Sequence, residues 1–145
     1  MKVDSMIKEL ISQGYVVTKP KAKLNLPEKV FNFFYAYKDM QQEHMLMCSM
    51  NTQMEVINTH VLTVGLVAGT LIDPREVYKR ALQDNANGII LCHNHPSGSI
   101  QPSAEDIETT KRIKEAGEIM RIELIDHVIV SFTGFNSLRE STTIW

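Results

Sequence analysis

The chain has 145 residues, a formal net charge of −2 and an ordinary hydrophobic content of 43%. That length suits one domain, long enough to bury about two-thirds of its unfolded surface. The near-neutral balance gives no global pull toward nucleic acid or a membrane surface; no apolar run approaches the ~20 residues needed to span a bilayer, and Met1-Lys2-Val3-Asp4 lacks a signal-peptide core.

Asp4 to Ser12 has Met6, Leu10 and Ile11 on one side of a short helix, followed by a basic, extended connector at Lys19-Pro20-Lys21-Ala22-Lys23. Pro27 begins a second helix carrying Val30, Phe31, Phe34 and Tyr35 at helical spacing, which marks them as core rather than as a base-stacking platform. His44 to Met50 is nearly continuous apolar sequence and reads as a buried strand. Asn51-Thr52 turns the chain, and Met54 to Val64 alternates as the returning strand. Leu66 to Thr70 would prolong the sheet after a kink at Gly65. Asp73-Pro74-Arg75-Glu76 is a helix start, with an Asp cap, Pro at the first position and Glu three after the cap. Val77, Tyr78, Ala81 and Leu82 form its expected buried face, and Gly88 its expected stop.

Ile89 to Cys92 is then a short apolar strand ending at His93. Ser103 opens the next helix, with Ile107, Ile113 and Ala116 inward, and Glu123 to Ser131 is expected to close the sheet. Strand and helix alternate behind a leading hairpin, which predicts an α/β domain with a mixed sheet and packed helices. Cys48 and Cys92 lie in apolar runs and read as reduced, buried thiols, so a cytoplasmic location is expected.

The chemistry concentrates in His93-Asn94-His95-Pro96-Ser97-Gly98, followed by Ser103 and Asp106. Side chains at i and i+2 of an extended segment share a face, so His93 and His95 can grip one cation. A turn that returns Asp106 adds an oxygen ligand. Two His, one Asp and a position left for water is the ligand set of a catalytic zinc site rather than a closed structural one. Turn chemistry accounts for the same Asn, Pro, Ser and Gly, and Ser103-x-x-Asp106 also fits a helix N-cap with its first-turn carboxylate. There is no H-E-x-x-H helix, and the deaminase pattern of H-x-E with P-C-x-x-C fails because the third residue is His95.

His93-x-His95-Pro96 with Ser103-x-x-Asp106 resembles the JAMM signature of the JAB/MPN metallopeptidase superfamily. HNHPSG with Pro102-Ser103 is similar to its RadC-like branch, proteins often labelled DNA repair. Pro74-Arg75-Glu76, Asn85-Ala86, Thr110 and Asp126-His127-Val128-Ile129 extend the likeness from about Leu26 to the C-terminus. The resemblance implies a three-layer JAB1/MPN fold related to cytidine deaminases, with residues 26–145 as the RadC-like JAB/MPN domain. Residues 1–25 remain as a short helix and connector.

Zinc held by His93, His95 and Asp106 would lower the pKa of a water toward neutrality and make it a nucleophile for an amide carbonyl. The resemblance points to Glu43 as the catalytic base, with Glu55 as its competitor. It implies that Ser103 helps hold the oxyanion, against the rival reading of Ser103 as a cap alone. Asp126 and His127 are expected to support the site rather than to bind the metal, since three nearer ligands suffice. Cys92 is disfavoured as a nucleophile because adjacent strand residues point to opposite faces.

The expected activity is therefore zinc-dependent hydrolysis of a peptide or isopeptide bond. Two alternatives stay open. One is a DNA repair protein or metal-dependent nuclease, for which the chain offers no large basic stripe. The other is a non-catalytic MPN interaction module, against which stands the presence of every expected ligand. No membrane partner is expected, and neither the substrate nor the oligomeric state is legible in the sequence.

Overall fold

The computed structural model of the chain describes residues 5, 8–9, 12–14, 21–65 and 72–145. Most of the expected first helix, the first two residues of the expected connector, and the expected extension over Leu66 to Thr70 lie outside the described residues. Among the described residues, no helix is long and apolar enough to cross a membrane.

The elements run in the order α1 (Pro27–Phe33), a 3-10 turn (Tyr35–Asp39), β1 (His44–Met50), β2 (Val56–Val64), α2 (Pro74–Gln83), β3 (Gly88–Asn94), α3 (Ala104–Met120), β4 (Glu123–Ser131), β5 (Gly134–Ser137) and α4 (Leu138–Ser141). The five strands form one mixed sheet in the order β2-β1-β3-β4-β5. β1 runs antiparallel to both β2 and β3, β3 is parallel to β4 through the α3 crossover, and β5 returns antiparallel beside β4. β4 was expected to close the sheet. Instead β5, a four-residue strand too short to show alternation, forms that edge.

Strand alternation sorts the core into two layers. Met45, Met47, Ile89 and Leu91 face α2 and α3, where Val77, Tyr78, Ala81 and Ile113 meet them. Leu46, Cys48, Met50, Ile90, Cys92, Val128 and Val130 face the other way, against Val30 and Phe34. The chain is thus a three-layer α/β domain, as expected. Cys48 and Cys92 are buried and free. Trp145 packs on the α2/α3 layer, and its Nε1 donates to the Leu124 carbonyl at 3.0 Å.

Local signals explain most element boundaries. Asp73 caps α2, accepting from the Arg75 N–H at 2.9 Å, and Ser103 caps α3. Leu82 is an exception to the expected buried face, being 56% exposed at the end of α2. Tyr35, also expected in the core, is solvent-facing because helix α1 gives way to the 3-10 turn there. Gly88 does not stop α2. The helix ends at Gln83, Asn85 turns the chain with a positive φ of 52°, and Gly88 opens β3. A side chain at 88 would collide with Ile125, since a Cβ there would lie 2.7 Å from Ile125 Cδ1.

Ile125 is the extra residue of a bulge in β4. Ile89 pairs with Leu124 and Ile90 with Asp126, so Ile125 has no partner in the register. The bulge resets the alternation. Leu124 and His127 consequently both face the α2/α3 layer, while Asp126 faces away, beside Ile90.

Candidate metal centre

The parallel strands β3 and β4 and the N-terminus of α3 meet at one end of the sheet, and the candidate residues gather there. β3 delivers His93 on the α3 side, fully buried. The chain then leaves the sheet with the His95 N–H donating to the Val130 carbonyl at 3.0 Å. The turn that follows is strapped to the β4–β5 connection: the Gly98 carbonyl accepts from Ser131 Oγ at 3.1 Å and Thr133 Oγ1 at 2.6 Å. Gly98 has a positive φ of 88°, and a Cβ there would lie 2.3 Å from the Phe132 ring. Only glycine fits that turn.

His93 Nε2 and His95 Nε2 lie 2.9 Å apart. Asp106 presents Oδ1 to His93 Nε2 and Oδ2 to His95 Nε2, each at 3.2 Å. Glu43 Oε1 stands 3.7 Å from His93 Nε2, and the side chain of Glu43 keeps 30% of its exposure. One ligand atom from each of Glu43, His93, His95 and Asp106 lies within 4.8 Å of the others. A tetrahedral zinc with ~2.0–2.1 Å bonds sets its ligand atoms roughly 3.3 Å apart, close to the spacing of the three inner residues.

The hydrogen bonding supports the same conclusion. His95 Nδ1 lies 2.9 Å from the Ser99 carbonyl. A carbonyl only accepts, so Nδ1 carries the proton and Nε2 of the neutral ring presents a lone pair. That lone pair faces a carboxylate. Burial acts to raise the Asp106 pKa, but hydrogen bonds to His93 and His95, the His93 charge and the Ser103 N–H hold it well below the usual carboxylate range. Burial acts to lower the His95 pKa, but Asp106, the Ser99 carbonyl and the Glu43 charge raise it. With the imidazoles neutral, their Nε2 lone pairs and the Asp106 carboxylate face one another and need a cation between them, a proton or a metal ion; a metal needs the carboxylate ionised and the imidazoles neutral.

Glu43 arrives from outside the motif, just before β1, and a buried side chain holds it there. Asn94, between the two histidines, is fully buried. Its Oδ1 accepts from the His44 N–H at 2.6 Å, and its Nδ2 donates to the carbonyls of Gln42 at 2.9 Å and Met40 at 3.3 Å. Asn94 therefore clamps the segment that carries Glu43. Glu55 is not near the site. It lies past the far end of β1, roughly 20 Å along the strand, where its carboxylate accepts from Asn51 Nδ2 at 3.0 Å.

The RadC-like JAB domain family matches this chain over residues 24–143. The chain belongs to that family. A UPF0758 protein of Staphylococcus haemolyticus is 41% identical over 121 residues, covering 83% of this chain and 53% of that protein. A UPF0758 protein of Thermotoga maritima is 42% identical over 118 residues, covering 81% and 53%. One of Shouchella clausii is 46% identical over 103 residues, covering 71% and 45%. The chain thus spans about half the length of these relatives. The mixed sheet between helical layers is the JAB/MPN architecture, and the Glu/His/His/Asp cluster of this RadC-like domain is able to bind a metal ion.

The capping reading of Ser103 is met in this RadC-like chain. Its Oγ accepts from the Asp106 N–H at 3.1 Å, and Asp106 Oδ2 accepts from the Ser103 N–H at 2.8 Å, a reciprocal capping box. The box also aims the Asp106 carboxylate at the imidazoles. The hydroxyl hydrogen of Ser103 stays available at an exposed position.

Just after the bulge, Asp126 and His127 turn to opposite faces of the sheet. Asp126 accepts from Ser137 Oγ at 2.6 Å and the Arg139 N–H at 3.2 Å, tying α4 to the sheet. His127 instead meets the site, with Nε2 at 2.7 Å from His93 Nδ1. Burial foremost, then the charge of His93, keeps the His127 pKa well below its ordinary value. Cys92 points into the opposite core layer, where burial pushes its thiol well up. The contributions of Asn94 and Thr110 to the site escaped the sequence reading; the one signal for Asn94 was its place between two histidines, facing the other way.

Proposed function

We propose that this domain is a zinc-dependent hydrolase of the JAMM type, cleaving a peptide or isopeptide bond with water. The observation that carries the reading is the convergence of His93 Nε2, His95 Nε2 and the Asp106 carboxylate, with the Glu43 carboxylate 3.7 Å from His93. His93, His95 and Asp106 would hold the ion. Bound there, zinc supplies Lewis acidity, lowering the pKa of a water and polarising a carbonyl oxygen. Zinc suits an imidazole and carboxylate ligand set.

Glu43 does the proton work. Its carboxylate takes a proton from the attacking water as the new C–O bond forms, then returns it to the nitrogen as the C–N bond breaks. Its partial exposure lets it reach both partners, and Asn94 fixes its place. Ser103 donates its free hydroxyl hydrogen to the oxyanion. A donor of this kind contributes about 3–4 kcal/mol to transition-state stabilisation, beyond the ~1 kcal/mol of a helix cap.

The test pairs the zinc-loaded chain with its Glu43→Gln variant on a complex mixture of peptides and isopeptide-linked peptides, with new termini read by mass spectrometry. Glu43→Gln should retain the metal and lower hydrolysis by about 10²–10⁴-fold. If the zinc-loaded wild type generated no new termini, or the variant generated the same ones at the same rate, the hydrolase reading would be lost.

A further inference from the structure

We infer that Thr110 and His127 form a one-directional hydrogen-bond relay that locks His93 in its metal-binding tautomer. The inference rests on the proposed role of His93 as a ligand, and it concerns two residues that touch neither metal nor substrate. They are positioning residues.

The relay starts at the backbone of Asp106. Thr110 Oγ1 lies 2.6 Å from the Asp106 carbonyl oxygen and 2.6 Å from His127 Nδ1. A threonine hydroxyl has one hydrogen, and a carbonyl can only accept. That hydrogen goes to the carbonyl, so Thr110 Oγ1 accepts from His127 Nδ1–H. A neutral His127 then has a lone pair on Nε2, which lies 2.7 Å from His93 Nδ1. His93 must donate there, and its Nε2 is left bare toward Asp106 and His95. Reversing the polarity would leave the short Thr110–carbonyl contact without a hydrogen.

The three side chains are completely buried, so no solvent competes for these hydrogen bonds. The relay also closes on itself. It begins at the Asp106 carbonyl and ends at His93 Nε2, 3.2 Å from the Asp106 carboxylate. One residue thus supplies a ligand atom through its side chain and sets the tautomer of a neighbouring ligand through its backbone.

Metal-ligating histidines usually donate their second nitrogen to a carboxylate, a carbonyl or water. An imidazole takes that place here. A carboxylate would add negative charge beside Asp106 and Glu43, whereas neutral His127 orients His93 without adding any. The bulge at Ile125 makes this possible, because it turns His127 onto the His93 side of the sheet.

The polarity can be read directly by ¹⁵N NMR of histidine-labelled protein. In the metal-free wild type, His127 should show a protonated Nδ1 and a bare Nε2, and His93 a protonated Nδ1. Thr110→Val keeps the shape and removes the hydroxyl; it should weaken zinc binding about 10–100-fold in chelator competition and let His127 sample both tautomers. Thr110→Ser restores the hydroxyl and should restore both readouts. A merely structural threonine would lower thermal stability without moving the tautomer.

His127 protonated on Nε2 in the wild type overturns the relay, as does a folded Thr110→Val chain that binds zinc as tightly as wild type. If Thr110→Val does not fold, the wild-type tautomer alone decides. If the wild type bound no zinc, the ligand role of His93 would fail, while the metal-free NMR reading would still judge the relay.

Discussion

Asp84 and Asp106 each gather histidine around a carboxylate, yet they are chemically unlike. At Asp84, Oδ2 receives Ser49 Oγ at 2.7 Å and His60 Nε2 at 2.6 Å, and Oδ1 receives Asn58 Nδ2 at 3.3 Å. Each contact can match a donor to an acceptor, so the cluster is complete. At Asp106, two histidines whose other nitrogens are already committed turn toward a carboxylate held ionised. What marks Asp106 as the candidate metal site is that its ligand atoms converge on one point, not a count of histidines and acids.

The largest expected effect breaks the Asp106 cluster and spares the Asp84 cluster. His95→Ala should abolish stoichiometric zinc in elemental analysis and with it any hydrolysis, while Asp84→Ala should leave zinc content unchanged. Equal zinc in wild type and His95→Ala would erase the distinction drawn between them.

The Asp106 side of this contrast was legible in the sequence, and the Asp84 side was not, because Ser49, Asn58 and His60 lie far from Asp84 along the chain. The HxH spacing on a strand end, the Ser103 cap and the α/β alternation follow from local rules, because periodicity and capping act within a few residues. The bulge at Ile125 did not show, since no glycine or proline in Glu123 to Ser131 marks where the register shifts. Without the bulge, the two side chains of Asp126 and His127 cannot be assigned to faces. β5 and the Asn94 clamp were equally hidden, because their partners lie far away in sequence. Glu43 was reached only through family resemblance, as a lone glutamate before a strand carries no local signature.

A finer probe is Ser103→Asp. Aspartate caps a helix as well as serine, so thermal stability should stay near wild type. An ionised carboxylate cannot donate to an oxyanion, so turnover should fall by ~10²-fold or more, with metal occupancy measured alongside. Undiminished turnover at full occupancy would leave Ser103 as a cap alone.

The smallest effect belongs to the completed cluster. Burial acts to raise the Asp84 pKa, but hydrogen bonds from His60, Ser49 and Asn58 and the His60 charge bring it below its ordinary value. A depressed folded-state pKa contributes stability above the unfolded value and loses it as pH falls through the folded one. Asp84→Ala should therefore cost about 1–3 kcal/mol near neutral pH, in denaturant titrations. The gap from wild type should shrink as the pH drops below ~4. A gap that is constant with pH would remove the electrostatic part of this account.

The chain contains one tryptophan, Trp145, and its indole is tied to the Leu124 carbonyl at the start of β4. Leu124 pairs with Ile89, four residues before His93 on the neighbouring strand, about 13 Å away. The chain's single indole thus sits in the wall between sheet and helices, remote from the ligands. Its emission reports on the intactness of that wall and is nearly blind to the ion, so loss of the metal and loss of the fold become separable signals in one cuvette.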